Sequence, residues 1–186
     1  MARPLRPTAA GFYHVASRAP AGEELFRDEH DYLRFELALR EVVSGGRVRC
    51  LAACGLTTHY HLLVETADDA LPPAMKWLNQ GYACAYNARY NRRGHAFADR
   101  YLSVPVKHDG QLLVAYRYIV RNPVEAGLCR KPEEWIWSSY PAAIGHGDRF
   151  AFADADFMVS CCDGSLNALR QFVEAESGVR PRRTAR

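Results

Sequence analysis

The chain is short of most features that assign a protein quickly. Its six cysteines form no CxxC pair, and with the histidines they give no zinc-finger spacing, which excludes the common structural zinc sites. The most apolar run, LLVAYRYIV, is short and broken by Arg117, so no membrane span is expected. The opening MARPLRPTAAG has arginines and prolines but no apolar stretch of the kind a signal peptide needs. There is no internal repeat. Charge is nearly balanced, +3 over 186 residues, so bulk electrostatics alone point to no nucleic-acid partner, and the placement of the cations matters more. Free thiols in a reducing cytoplasm follow as the expected setting.

What is present is enough apolar material, 48% of residues, for one well-filled core. Residues 12–17, 47–54, 59–65 and 101–107 read as strands, the last with Pro105 marking an edge. Residues 28–44, 72–89 and 111–120 carry helical spacing, and a short helix is expected over 165–175. Pro123 is expected to end the third helix, because the residue before a proline is pushed out of the helical region. The order β-α-β-β-α-β followed by another helix is an α+β, ferredoxin-like arrangement: an antiparallel sheet with helices on one face.

The segment LTTHYHLLVET sets His59 and His61 one residue apart in a strand. Residues i and i+2 share a sheet face, so the two imidazoles lie side by side and Tyr60 points away. Such a pair can chelate a divalent ion once a third ligand arrives from elsewhere; it can equally be two satisfied, half-buried sheet residues. In YRYIVRNPVEAG, Tyr118 and Asn122 are four apart and share a helix face. A helix laid across the histidine face would offer the Asn122 side-chain oxygen as the third ligand and bring the Tyr118 phenol beside the metal. A phenol, with a pKa of about 10, is a weak nucleophile unless its target is activated, and a divalent ion on a phosphate oxygen does that. Otherwise Tyr118 serves as a packing aromatic and Asn122 as a helix cap. Glu65, on the same strand face as His61, either orients a ligand histidine or ends the strand in solvent.

Taken in order, FYHVASR, HYHLLVET, LNQGYACAYNARYNRRGHAF, DRY, YRYIVRNPVEAGL and WSSYPA resemble the REP-associated tyrosine transposases, within the HUH single-strand DNA transposase superfamily. The resemblance spans roughly residues 3–145, which sets a catalytic domain over 1–145 and an extension over 146–186 that ends in a basic tail expected to be disordered. It implies metal-dependent nicking and rejoining of single-stranded DNA at small hairpins, in a cytoplasmic, nucleoid-associated monomer or homodimer. It implies His59, His61 and Asn122 as ligands of Mg²⁺ or Mn²⁺, and Tyr118 as the nucleophile that forms a 5′-phosphotyrosine. Two departures bear on DNA preference more than on chemistry. Leu56-Thr57-Thr58 stands where the family usually has Met-Pro-Asn, and Ala96-Phe97-Ala98-Asp99 lacks the family's usual glutamine.

Arg89, Arg92, Arg93, His95, Arg100 and Lys107 cluster between the second helix and the fourth strand and are expected to hold DNA phosphates. Tyr86, Tyr90, Phe97 and Tyr101 are interleaved with them for stacking on unpaired bases. Arg3, Arg6, Arg180, Arg182, Arg183 and Arg186 are solvated ends or additional phosphate contacts. The alternatives to a strand transferase are a hairpin-binding relative without efficient cleavage and, less well supported for want of an HExxH helix, a zinc hydrolase.

Overall fold

The structure, a computed structural model, describes residues 9–175. The arginines at 3 and 6, those from 180 onward and the basic tail lie outside them. Four strands, β1 (Gly11–Arg18), β2 (Arg49–Gly55), β3 (His59–Thr66) and β4 (Leu102–Val106), form one antiparallel sheet in the order β2-β3-β1-β4. β4 with Pro105 is an edge strand, as its composition requires. The helices are α1 (Glu29–Ser44), α2 (Leu71–Arg89), α3 (Asp109–Glu125), α4 (Tyr140–Ala143), α5 (Ala155–Ser160) and α6 (Leu166–Glu174).

Helices cover both faces of the sheet rather than one. Strand alternation sends Val15, Tyr60, Leu62 and Val64 toward α1 and α2, where Tyr32, Phe35, Leu39, Leu78 and Tyr82 meet them. The opposite face, with Leu51, Ala52, Cys54 and Leu63, packs under α3 and α6 through Leu112, Tyr116, Ile119, Val120, Leu169 and Val173. Each large apolar side chain removed from water contributes roughly 1.5–3 kcal/mol, so both layers carry the fold. The pairing of β2 with β3 shifts register between Cys50 and Ala52, the mark of a bulge.

α1 starts where Asp28 accepts from the Asp31 backbone N–H, and its apolar stripe is the one the spacing predicts. α3 runs through Pro123 to Glu125 instead of stopping before it. The proline removes one hydrogen bond within the last turn, while Ile119 and Val120, fully buried against the sheet, hold the helix in place. The Ala126 N–H bonds to the Asn122 carbonyl, so Asn122 is an interior helical residue and not the cap.

Residues 135–139 run along the outer side of β2. Gly55 N–H donates to the Trp137 carbonyl, Ser139 N–H donates to the Ala53 carbonyl, and the Trp135 indole N–H reaches the Gly55 carbonyl at 2.8 Å. Arg117 and Arg121 of α3 donate to the carbonyls of Ala175 and Val173, which ties the end of α6 to α3. Among the described residues no helix is long and apolar enough to cross a membrane.

Candidate functional site

Alternation along β3 places His59 and His61 on the α3 face. β1 pairs antiparallel with β3, Ala16 opposite His61 and His14 opposite Leu63, so His14 is the diagonal neighbour of His61 on that same face. The three imidazoles form one patch. His59 and His61 lie 5.0 Å apart, ring centre to ring centre, and His14 and His61 lie 5.1 Å apart. Tyr118 comes down from α3 and sets its ring edge-on to both His14 and His61, at 5.6 Å from each. Half of the Tyr118 surface, 52%, remains open to solvent.

Hydrogen bonds fix how the imidazoles present themselves. His61 Nδ1 and His14 Nε2 share a bond of 3.0 Å, and His59 Nδ1 shares one of 3.0 Å with the Thr58 hydroxyl. His61 Nε2 is buried and has no partner. Burial pushes the His61 imidazolium pKa down to about 3, with His59 and His14 adding repulsion. Burial also lowers His14 and His59, the latter with help from Arg18. All three rings are therefore neutral at physiological pH, with lone pairs to offer.

Asn122, one turn beyond Tyr118, has a buried side-chain nitrogen with no partner. An amide's oxygen and nitrogen exchange places by a half-turn about its terminal bond, so this orphaned end suits a cation ligand as well as a donor. Among the described residues no three His, Cys, Asp or Glu side chains come together as a ready metal set. His14 is thus a hydrogen-bond partner of His61 rather than the third member of a triad. Two imidazoles and one amide are groups that could ligate a divalent ion, leaving other positions to water or substrate.

A cleft of about 830 Å³ opens beside the histidines, bordered by Arg18, Glu23, Thr58, His59, His61 and Arg100. A hollow of about 730 Å³ between Gly127 and Trp137 contains none of the site residues. Glu65 is ion-paired to Arg49 at 3.0 Å and takes no part.

The six residues expected to meet DNA divide into two groups. Arg89 grips Asp28 at 2.6 Å and Asp31 at 2.8 Å, and Arg92 is paired with Glu23. Arg89 in turn holds the Asp28 carboxyl down at about 2. Tyr86 is buried, with its hydroxyl on the Glu24 carbonyl. Arg93, His95, Arg100 and Lys107 are exposed. Sequence reasoning missed His14, Arg18 and Thr58. The alternation of FYHVASR marks His14 as facing one side of the sheet, but nothing local says which strand lies beside it.

Residues 9–122 match the family described as transposase, IS200-like. Among solved structures, the chain is similar to a REP-associated tyrosine transposase bound to a REP hairpin. The TM-score is 0.65 at 15% identity, over 82% of this chain and 90% of the other. At that identity the likeness is one of fold. No curated protein matches the chain. The family match runs from just ahead of β1 to Asn122, taking in the whole sheet and most of α3, and the chain belongs to the IS200-like transposases.

Proposed function

We propose that the protein is a divalent-metal-dependent endonuclease and strand transferase for single-stranded DNA, acting at hairpins through a 5′-phosphotyrosine intermediate. One observation carries this reading: a half-exposed Tyr118 stands edge-on to His14 and to His61, whose Nε2 is buried and unpartnered. His59, His61 and Asn122 would hold Mg²⁺ or Mn²⁺, because each offers a neutral donor and two of them are otherwise left unsatisfied. When bound, such an ion withdraws charge from a scissile phosphate.

The chain's own groups do the rest. The cleft receives the strand, with Arg18 and Arg100 on its walls to meet phosphate charge. Arg93 and Lys107 extend the cationic surface, with His95 exposed near Arg93, while Arg89 and Arg92 brace the scaffold through their carboxylate partners. Tyr118 Oη loses its proton to solvent and bonds to phosphorus. The bond from phosphorus to the 3′ oxygen breaks, and that oxygen leaves as a 3′-hydroxyl after taking up a proton. Attack by another 3′-hydroxyl reverses these steps and reseals a strand without ATP, since one phosphodiester replaces another. His14 and Thr58 hold the Nδ1 sides of His61 and His59, which keeps their Nε2 lone pairs turned toward the ion.

The test is a denaturing gel of protein incubated with labelled single-stranded hairpins taken from inverted repeats of the host genome, with Mn²⁺ or with EDTA. A covalent protein–DNA band that needs Mn²⁺ and vanishes in Tyr118→Phe is expected. Binding without such a band would instead identify a hairpin-binding relative that does not cleave.

A further inference from the structure

The loop between α2 and β4 is not one surface. Its first part, around Arg92, is tied down by Glu23, while the Tyr86 and Tyr90 rings pack at a tilt, 4.8 Å apart, behind it. Its second part, residues 94–101, stands off α2 and encloses a pocket of about 600 Å³. That size lies within the range of small-ligand sites.

The pocket's lining has a specific chemistry. Met75 and Ala83 of α2 give an apolar floor, and Phe97 from the loop gives an aromatic wall. The Phe97 ring is held edge-on by Tyr60, at 6.2 Å and 88°. Asn79 lines the same space, and its Oδ1 accepts from the hydroxyl of fully buried Tyr60 at 2.6 Å. That bond fixes the amide, so its nitrogen presents two N–H donors in a set direction. Lys76 stands exposed on the border. A flat wall, an apolar floor, one oriented donor pair and a cation suit a planar heterocycle with ring acceptors and a phosphate attached.

The position of the pocket identifies the occupant. Ala98, Asp99 and Arg100 line both this pocket and the histidine cleft, so the loop is a partition between two adjacent spaces. We propose that the pocket receives an unpaired nucleobase from the same DNA strand whose phosphate lies in the histidine cleft. This rests on the strand-transfer reading and adds to it a site that reads or grips a base beside the cut.

Binding of full-length protein to fluorescein-labelled dT12, and to an abasic 12-mer with the same phosphates, tests this by anisotropy in EDTA. A stacked base adds on the order of tenfold in affinity, so wild type is expected to prefer dT12 by about that factor. Ala83→Phe fills the pocket and is expected to lower dT12 affinity about tenfold while leaving abasic binding unchanged. Equal wild-type affinity for the two strands overturns the pocket and leaves strand binding standing; binding of neither overturns both. Should Ala83→Phe melt early, a 4-thiothymidine strand crosslinked to wild type decides the matter. Attachment within 76–83 or 94–101 supports the pocket, and attachment confined elsewhere overturns it.

Discussion

The two faces of the sheet differ in how many buried polar groups they leave without a partner. Toward α1 and α2, the buried tyrosines are satisfied: Tyr60 donates to Asn79, Tyr82 to the Leu25 carbonyl and Tyr86 to the Glu24 carbonyl. Toward α3 more atoms go unpartnered, although the Tyr140 hydroxyl donates to Glu174. Of the seven buried side-chain atoms without a partner among the described residues, four lie on α3, at Tyr116, Arg117, Arg121 and Asn122, and a fifth is His61 Nε2 on the sheet face beneath it. An unsatisfied buried group costs about 1–3 kcal/mol, so this layer is less stable than its packing alone would make it. Both faces carry the fold, and the α3 face also holds most of the unpartnered atoms.

The sharpest way to break this contrast is Tyr118→Phe. It should abolish the covalent DNA product while changing unfolding free energy by less than about 0.5 kcal/mol, because the hydroxyl belongs to a half-exposed residue. An intact product band would remove Tyr118 from the chemistry. Next in size is His14→Phe, which deletes the bond to His61 Nδ1. Mn²⁺ affinity by calorimetry should fall roughly 10–100-fold with the fold retained, and unchanged affinity would reduce His14 to packing.

Acid should also distinguish the faces. His61 is depressed from 6.5 to about 3 in the folded state, so below pH 6.5 the unfolded chain binds the extra proton and stability falls as pH drops toward 3. By pH 5 His61 alone accounts for about 2 kcal/mol, readable in urea melts and absent in His61→Leu. The Arg89–Asp28 pair on the other side has a depressed carboxylate. Its contribution is complete above about pH 4 and is lost only as pH falls toward 2. The smallest effect is Asn122→Leu, which removes an orphaned amide. The metal-free protein should gain about 1 kcal/mol while Mn²⁺ binding weakens.

What could be read in advance follows the range of the interactions involved. Strand alternation put His59 and His61 together, and helical spacing put Tyr118 and Asn122 on one face; both are properties of neighbouring residues. His14 was hidden because its partner is 47 residues away on a strand whose pairing has no local signature. Arg89 read as a DNA cation because Asp28, which neutralises it, precedes it by 61 residues. Pro123 misled in the other direction. Its local rule is sound, but apolar contacts from Ile119 and Val120 outweigh one missing hydrogen bond.

The segment running along β2 has a consequence for how copies of the chain can meet. It occupies the outer hydrogen-bonding row of β2, which leaves β4 as the one open edge of the sheet among the described residues. On that edge Leu102 and Val104 are exposed, and Pro105 lacks an N–H to give. A sheet with two open edges can add strands without limit and grow into a fibre. A sheet with one open edge terminates at its first pairing, and association through this edge stops at two copies.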